Sequence, residues 1–180
     1  ALEEAGLDVW VNPVDRPLPR AELLARVADA EGLLCMLSEP VDAELLDAAP
    51  KLRVVSNYAV GFDNVDVAEA RRRGVEVTTT PDVLTEATAD LAWALLLAAA
   101  RRLGEGDRLV RAGEWTGWGP NQLVGQPVAG RTLGIVGMGA IGRAVARRAR
   151  GFSMPVLYFN RHRLDQDVER SLDATYTPLP

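Results

Sequence analysis

Apolar and polar positions over residues 1–80 follow two alternating patterns. Apolar residues spaced by three and four predict helices, and short continuous apolar runs bounded by turn residues predict strands buried on both faces. The predicted helices are Arg20–Ala30, Asp42–Ala49 and Asp63–Arg73, and the predicted strands are Gly32–Leu37, Leu52–Ser56 and Val75–Thr79. Strands that alternate with helices indicate an α/β fold built on a parallel sheet.

Two short segments precede the first of these helices. Leu2–Gly6 has the pattern of a helix end, and the apolar segment Val9–Asn12 predicts a strand. A doubly wound sheet normally has a strand ahead of its first helix, and no such strand precedes Leu2–Gly6. We therefore expect the first strand to be missing from this sequence.

A second unit begins with a long apolar segment. Thr85–Asp90 combines threonines that can cap a helix with acids suited to its first turn, and Leu91–Ala100 is apolar on nearly all sides. The pattern predicts a helix that is buried on most of its surface. Gly104–Pro127 resembles a loop, Arg131–Gly151 predicts a strand, a glycine-rich turn and a helix, and Val156–Phe159 predicts another strand.

Strands alternate with helices in residues 1–80 and again in the unit that begins at Thr85, which predicts two domains. We expect two doubly wound parallel-sheet domains of the Rossmann or flavodoxin-like type, both incomplete in this chain. The predicted boundaries are residues 1–82 for the first domain and residues 83–180 for the second.

Composition removes several classes of function. Hydrophobic residues make up 48% and charged residues 25% of the chain, as in ordinary globular proteins. A net charge of −5 without a basic stretch argues against a nucleic-acid or membrane-surface partner, and Leu91–Ala100 is too short to span a bilayer. The single cysteine, Cys35, cannot form a disulfide framework or a zinc site, so we expect a buried thiol, no metal and a cytoplasmic protein.

The segment Gly137–Gly142 has the Gly-x-Gly-x-x-Gly spacing of a dinucleotide-binding turn. It follows a β-branched apolar strand and opens a helix, which is the context in which such a turn holds a pyrophosphate. The first glycine allows the tight turn, the second lets the backbone approach the ligand, and the third lets the helix pack against the strand. A turn that binds nothing is the alternative. The cofactor-binding residues predicted here are Gly137, Met138, Gly139, Ala140, Ile141 and Gly142.

The end of the next strand bears on which dinucleotide is bound. A site that prefers NAD has an acid about 20 residues after the turn, which binds the ribose 2′-hydroxyl. Here that place is taken by neutral Asn160, followed by Arg161, His162 and Arg163. Arginine offers a charged, bidentate donor to a 2′-phosphate, so the segment predicts NADP, with NAD possible. Two exposed surface arginines without a ligand are the alternative.

Three ordered segments carry a family resemblance: Val54–Asp66, Thr80–Ala92 and the strand Arg131–Val136 with its glycine turn. They resemble D-isomer-specific 2-hydroxyacid dehydrogenases, and Gly113–Trp118 with Asn160–Arg163 are most similar to the glyoxylate/hydroxypyruvate reductases of that family. The resemblance implies an oxidoreductase that uses NADPH to reduce a small 2-keto acid to the 2-hydroxy acid by hydride transfer.

The resemblance also implies roles for single residues. Val60 and Gly61 match backbone amides that hold the substrate carboxylate, and a glycine turn after a buried strand can direct N–H groups at an anion. The alternative is that Gly61 only allows the turn while Asp63 caps the next helix. Leu37 matches a residue of the substrate pocket, or is plain core. Thr88 matches a position near the cofactor phosphates, or is only a helix cap.

The apolar helix and the Trp115–Trp118 arm resemble the family's dimer interface, which implies a homodimer; a loop packed on the surface is the alternative. The family's chemistry needs an arginine, a glutamate and a histidine that we expect to lie outside this chain, since its only histidine is His162. We therefore interpret the chain as a fragment without reductase activity of its own. Other hypotheses are a co-repressor-like protein that senses NADH, and a family member acting on 3-phosphoglycerate or phosphite.

Overall fold

The computed structural model describes residues 2–179. The chain divides into two compact units, Ala1–Pro81 and Asp82–Pro180, so the division lies one residue before the boundary expected from the sequence. Each unit contains a three-stranded sheet in which all strands are parallel. The α/β class with parallel sheets is therefore confirmed.

The first unit alternates helices and strands. Its elements are α1 (Arg20–Val27), β1 (Gly32–Cys35), α2 (Ala43–Ala48), β2 (Val54–Asn57), α3 (Val67–Arg72) and β3 (Glu76–Thr78). The strands lie in the order β1-β2-β3, with Val55 of β2 between Leu33 and Val77. Val55 is completely buried, and side chains of all three helices pack with it into one core.

The starts of α2 and α3 follow from two aspartates. Asp42 accepts a hydrogen bond from the Leu45 N–H at 3.0 Å and caps α2. Asp66 accepts one from the Glu69 N–H at 2.9 Å and caps α3. The expectation that Asp63 caps this helix is wrong, because the chain first forms a turn at Asp63 and an isolated parallel β-bridge between Val65 and Val41.

The edges of the first unit differ from the sequence predictions. Leu34 is 63% exposed, so the expectation of a strand buried on both faces is wrong for β1. Leu33 packs against the core, whereas Leu34 points to the opposite face of the pleated strand. Val9–Asn12 forms no strand among the described residues, and Leu2–Gly6 forms turns rather than a helix end.

The second unit begins with two helices and continues with a strand–helix alternation. Its elements are α4 (Thr85–Ala100), α5 (Leu103–Arg111), β4 (Leu133–Val136), α6 (Ala140–Ala149), a 3₁₀ turn (Arg150–Phe152), β5 (Val156–Phe159), α7 (Gln166–Leu172) and β6 (Ala174–Tyr176). The order β4-β5-β6 follows the chain and corresponds to one half of a dinucleotide-binding sheet. The prediction that Gly104–Pro127 is all loop is wrong, because α5 occupies its first part.

Helix α4 is less buried in its unit than its sequence suggests. Within its unit only Ala89 and Trp93 are buried, whereas Leu91 and Leu95 are exposed, so the contacts of this unit do not supply the expected burial on most sides. Trp93 stacks on Phe152 with ring centroids 4.7 Å apart, and its indole N–H donates to the carbonyl oxygen of Val145. These contacts hold α4 against α6, which carries the glycine turn at its start.

The expected threonine caps are also absent from α4. Leu84 occupies the N-cap position and makes no side-chain cap, and Thr88 lies within the helix. Two acids near the start of α4 bind α6 instead: Glu86 pairs with Arg147 and Arg148, and Asp90 pairs with Arg148. The two helices are therefore joined by ion pairs as well as by the Trp93 contact.

Candidate functional site

The glycine turn between β4 and α6 has a backbone that requires glycine at two positions. Gly137 has a φ of 99°, which side chains other than glycine rarely adopt, and its N–H donates to the Phe159 carbonyl oxygen at 2.9 Å. A Cβ on Gly142 would lie 2.2 Å from the carbonyl oxygen of Gly137. The first turn of α6 can therefore approach the end of β4 only without a side chain at Gly142.

The start of α6 presents open backbone donors. Gly139 lies before the helix in an extended conformation, and a Cβ built on it meets nothing within 4 Å. The N–H groups of Ala140 and Ile141 donate to no acceptor among residues 2–179. Unpaired amides with the positive end of a ten-residue helix behind them suit an anion such as a pyrophosphate.

Met138 and Asn160 connect the glycine turn to the end of β5. The Met138 side chain is completely buried in the core. The backbone N–H of Met138 donates to the side-chain oxygen of Asn160 at 3.0 Å. The Met138 amide is thereby occupied, so its structural role is to anchor the turn. The Asn160 amide nitrogen makes no hydrogen bond within the described part of the chain and stays available as a donor.

Arg143 is a cation beside the turn that the sequence reasoning missed. It lies one position after the third glycine, and its Nε donates to the carbonyl oxygen of Met138 at 3.3 Å. The guanidinium is therefore held next to the glycine turn from the helix side. Its position directly after the last glycine of the motif is the feature of the sequence that could have identified it.

The three basic residues after Asn160 are not equivalent. Arg161 and His162 are exposed, and no hydrogen bond or ion pair of their side chains occurs among the described residues. Arg163 instead forms a bidentate ion pair with Glu169 of α7, with both N–O distances at 2.8 Å. The sequence treats Arg161 and Arg163 alike, whereas the structure leaves only Arg161 without an acidic partner.

Glu169 is the centre of a polar cluster under this turn. It is buried, and besides Arg163 it accepts a hydrogen bond from the Tyr158 hydroxyl at 2.6 Å. The Tyr158 oxygen accepts in turn from the Leu164 N–H at 3.0 Å. The hydrogen bonds from Arg163 and Tyr158 lower the pKa of Glu169 to about 2, so the carboxylate is charged at any physiological pH.

The first unit has a second set of open amides, in the loop after β2. The N–H groups of Val60 and Gly61 donate to no acceptor among the described residues, and both residues are exposed. Gly61 has no positive φ, and a Cβ on it would meet nothing within 4 Å. The turn itself therefore does not need a glycine, which weakens the alternative that Gly61 serves only the turn.

A buried pair of asparagines, also missed from the sequence, holds this loop. Asn57 is completely buried, and its side-chain amide donates to the Gly61 carbonyl oxygen at 2.8 Å and to Asn64 at 3.1 Å. Asn64 donates to the carbonyl oxygens of Met36 and Glu39 in the turn after β1. With its carbonyl bound to Asn57, Gly61 is held in one orientation.

Leu37 and Thr88 complete the predicted set. Leu37 lies in the turn after β1 and is 56% exposed, so it is not plain core in this unit. Since Cys35 of β1 is paired with Asn57 of β2, Leu37 and the loop that contains Gly61 follow strands that end at the same edge of the sheet. Thr88 is partly buried in α4, and no hydrogen bond among the described residues joins its side chain to the glycine turn.

Two further findings concern the described residues 2–179. None of their helices combines the length and the apolar character needed to cross a membrane. They also contain no group of three or more His, Cys, Asp or Glu side chains that could hold a metal ion.

Comparison with known proteins places this geometry in a family. The chain matches the family described as D-isomer specific 2-hydroxyacid dehydrogenase, catalytic domain, over residues 1–177. It is 54% identical to a glyoxylate reductase of Thermococcus kodakarensis, over 98% of this chain and 54% of that protein. The crystal structure of the TT0316 protein of Thermus thermophilus superposes with a TM-score of 0.90 at 48% identity, covering 98% of this chain and 54% of that one.

A third relative has a bound cofactor. The crystal structure of an NADPH-dependent glyoxylate/hydroxypyruvate reductase of Sinorhizobium meliloti, in complex with NADP and malonate, matches with a TM-score of 0.72 at 39% identity, over 86% of this chain and 46% of that one. The chain belongs to the D-isomer-specific 2-hydroxyacid dehydrogenase family. It spans about half the length of the curated relatives it matches.

Proposed function

We propose that this chain supplies the cofactor-binding turn and the substrate-carboxylate loop of an oxidoreductase that reduces small 2-keto acids with NADPH. Glyoxylate and hydroxypyruvate are the first substrates to test. The proposal is supported by relatives named glyoxylate reductase that are 54% and 51% identical to this chain. It is also supported by the similar reductase of Sinorhizobium meliloti, whose structure contains NADP. The activity of the whole protein is part of this proposal, because the chain spans about half the length of those relatives.

The observation that carries the proposal is the open start of α6. Gly139 leaves space where a Cβ would stand, and the Ala140 and Ile141 amides have no partner among the described residues. A dinucleotide pyrophosphate fits such a site, with the Arg143 guanidinium adding positive charge beside the turn. When bound, the nicotinamide cofactor supplies the hydride, while these residues hold and orient its phosphates.

The end of β5 favours NADPH over NADH in this proposal. A carboxylate at the position of Asn160 would repel a 2′-phosphate, whereas the neutral amide nitrogen of Asn160 can donate to the ribose. The unpaired cation of Arg161 follows directly and offers a charged donor to the phosphate. His162 is a further exposed donor in the same turn. For Thr88, a position near the cofactor phosphates is proposed on the family resemblance alone.

The substrate carboxylate is proposed to bind the loop after β2. Two open amides, of Val60 and Gly61, can donate to one carboxylate, and Asn57 holds the Gly61 peptide in place. Leu37 follows the neighbouring strand and is proposed as an apolar wall of this site. The amides bind and orient an anion, but they cannot transfer a proton to the product.

The proton donor of the proposed reaction has to come from other residues of the protein. The only histidine of the chain, His162, lies in the exposed turn after β5 and is assigned to cofactor binding. We further propose a cytoplasmic homodimer. The exposed Leu91 and Leu95 of α4 and the 93% exposed Trp118 support the dimer, and the buried free thiol of Cys35 suits a reducing compartment.

Two measurements test the proposal. Calorimetric titration of the 180-residue chain with NADPH and with NADH should give binding of both and at least a tenfold preference for NADPH. NADPH oxidation with glyoxylate should be measurable for a protein that also contains the arginine, glutamate and histidine of the family's chemistry. It should be absent for the 180-residue chain alone. A chain that binds neither dinucleotide, or that oxidises NADPH with glyoxylate unaided, would contradict the proposal.

A further inference from the structure

The turn between β5 and α7 contains two arginines with different surroundings. Arg163 uses its Nε and one terminal nitrogen in the bidentate pair with Glu169. Its guanidinium also lies over the Tyr176 ring, 5.8 Å from the ring centroid. Arg161, two positions earlier, has neither an acidic nor an aromatic partner among residues 2–179.

The Arg163 pair is part of a scaffold rather than a loose surface contact. Glu169 is buried and also bound by the Tyr158 hydroxyl, which is itself almost completely buried and bound by the Leu164 N–H. These bonds tie the strand β5, the turn and the helix α7 together. A buried carboxylate that lost Arg163 would keep only one partner, at a considerable cost in free energy.

We infer that Glu169 is a specificity-determining positioning residue: it withholds Arg163 from the cofactor and uses it to brace the turn, so that Arg161 alone selects for a 2′-phosphate. This inference rests on the proposed NADPH preference and deepens it. The charge of Arg163 is compensated by Glu169 at contact distance, whereas the charge of Arg161 is not.

The inference separates two arginines that a sequence pattern treats as a pair. Were both to bind the phosphate, replacing either one would lower the preference to a similar degree. If Arg163 only braces the turn, its loss destabilises the unit but leaves most of the preference. If Glu169 is what withholds Arg163, releasing Arg163 should allow it to substitute in part for a missing Arg161.

The test uses two nucleotides that differ only by the 2′-phosphate, namely 2′,5′-ADP and 5′-AMP, titrated calorimetrically into the 180-residue chain. The selectivity is the ratio of the two affinities, and the unfolding temperature is recorded for each variant. Arg161→Ala should lower the selectivity at least tenfold without changing the unfolding temperature. Arg163→Ala should lower the unfolding temperature and change the selectivity less than threefold. Arg131→Ala, an exposed arginine before β4, is the matched control and should change neither.

Glu169 is tested by rescue. Glu169→Gln keeps the shape of the side chain but removes the charge that holds Arg163, so the double variant Arg161→Ala/Glu169→Gln should regain at least threefold selectivity over Arg161→Ala. Arg163→Lys keeps the ion pair and should retain the wild-type selectivity, which covers the case in which Arg163→Ala does not fold. A tenfold loss in Arg163→Lys, or no regain in the double variant, overturns the inference.

The wild-type chain separates failure of this inference from failure of the proposed function. If it binds neither nucleotide, the proposed dinucleotide site is wrong. If it binds both equally, the proposed NADPH preference is wrong, and the division of roles between the arginines falls with it. If it prefers 2′,5′-ADP but Arg161→Ala retains that preference, only the inference is wrong.

Discussion

Gly139 and Gly142, at the start of α6, should respond differently to the same substitution. A Cβ on Gly142 would lie 2.2 Å from the Gly137 carbonyl oxygen, which is more than 1 Å inside ordinary contact, and the obstacle is backbone that cannot rotate away. A Cβ on Gly139 meets nothing within 4 Å, and Gly139 has a negative φ. Gly142→Ala should therefore damage the fold, and Gly139→Ala should damage only ligand binding.

The magnitudes follow from this geometry. Forcing a methyl group into a packed site costs about 1–3 kcal/mol, so Gly142→Ala should destabilise the second unit by at least that much. For a unit of this size each kcal/mol corresponds to roughly 4–8 °C in unfolding temperature. Gly139→Ala should leave the unfolding temperature within about 1 °C, while a methyl group that displaces even one charge-assisted hydrogen bond to phosphate, of about 1.5–3 kcal/mol, weakens NADPH binding about tenfold or more.

Urea unfolding followed by tryptophan fluorescence measures the stabilities, since three of the four tryptophans, Trp93, Trp115 and Trp118, lie in the second unit. Calorimetry measures NADPH binding. Gly134→Ala, in β4, is the control: a Cβ there also meets nothing within 4 Å, but it lies outside the turn, so both properties should be unchanged. A stable Gly142→Ala, or a Gly139→Ala that binds NADPH normally, would refute the reasoning.

Three further predictions concern buried polar groups. The pKa of Glu169 is lowered in the folded chain, so its contribution to stability is present above about pH 4.5 and is lost as the pH falls towards about 2; urea titrations should show a flatter profile over that range in Glu169→Gln. Burial raises the pKa of the Cys35 thiol to about 11, so iodoacetamide at pH 8 should modify it only after unfolding, and rapid labelling of the native chain would contradict this. Asn57→Ala leaves the Gly61 carbonyl and Asn64 without their buried donor, and should cost about 1–3 kcal/mol in urea unfolding; an unchanged midpoint would show that the pair does not hold the loop.

Local patterns were sufficient for much of the fold. The strand predicted at Leu52–Ser56, which the structure has at Val54–Asn57, and the helices that begin after Asp42 and at Ala140 could be predicted because strand pattern, helix period and caps depend on neighbours in sequence. The glycine turn could be predicted for the same reason, since its φ of 99° at Gly137 is a local property. The predictions failed where a partner distant in sequence decided the outcome.

Two of the following errors, at Asp63 and Leu34, illustrate this, and the error at α5 has a local cause. Asp63 can cap a helix as well as Asp66 can, but the bridge between Val41 and Val65 delays the helix until Val67. Helix α5 was missed because its glycines lower the helical propensity of that segment. The burial of Leu34 was overestimated, because an apolar run does not show which face of a sheet the helices of its own unit cover.

The sequence by itself determined the type of chain: an α/β protein with a glycine-rich turn of Gly-x-Gly-x-x-Gly spacing at Gly137–Gly142, followed at the next strand end by a neutral Asn160 and two arginines. Spacing along the chain carries that information, because turns, caps and strand ends are built from adjacent residues. Only the tertiary structure decided which hydrogen-bond donors and charged groups are free to bind a ligand. It shows that Arg163 is already bound to Glu169 and the Met138 amide to Asn160, while the start of α6 and Arg161 remain open. A hydrogen-bond donor can serve a ligand only if the folded chain has not already used it, and that depends on residues brought together from distant positions.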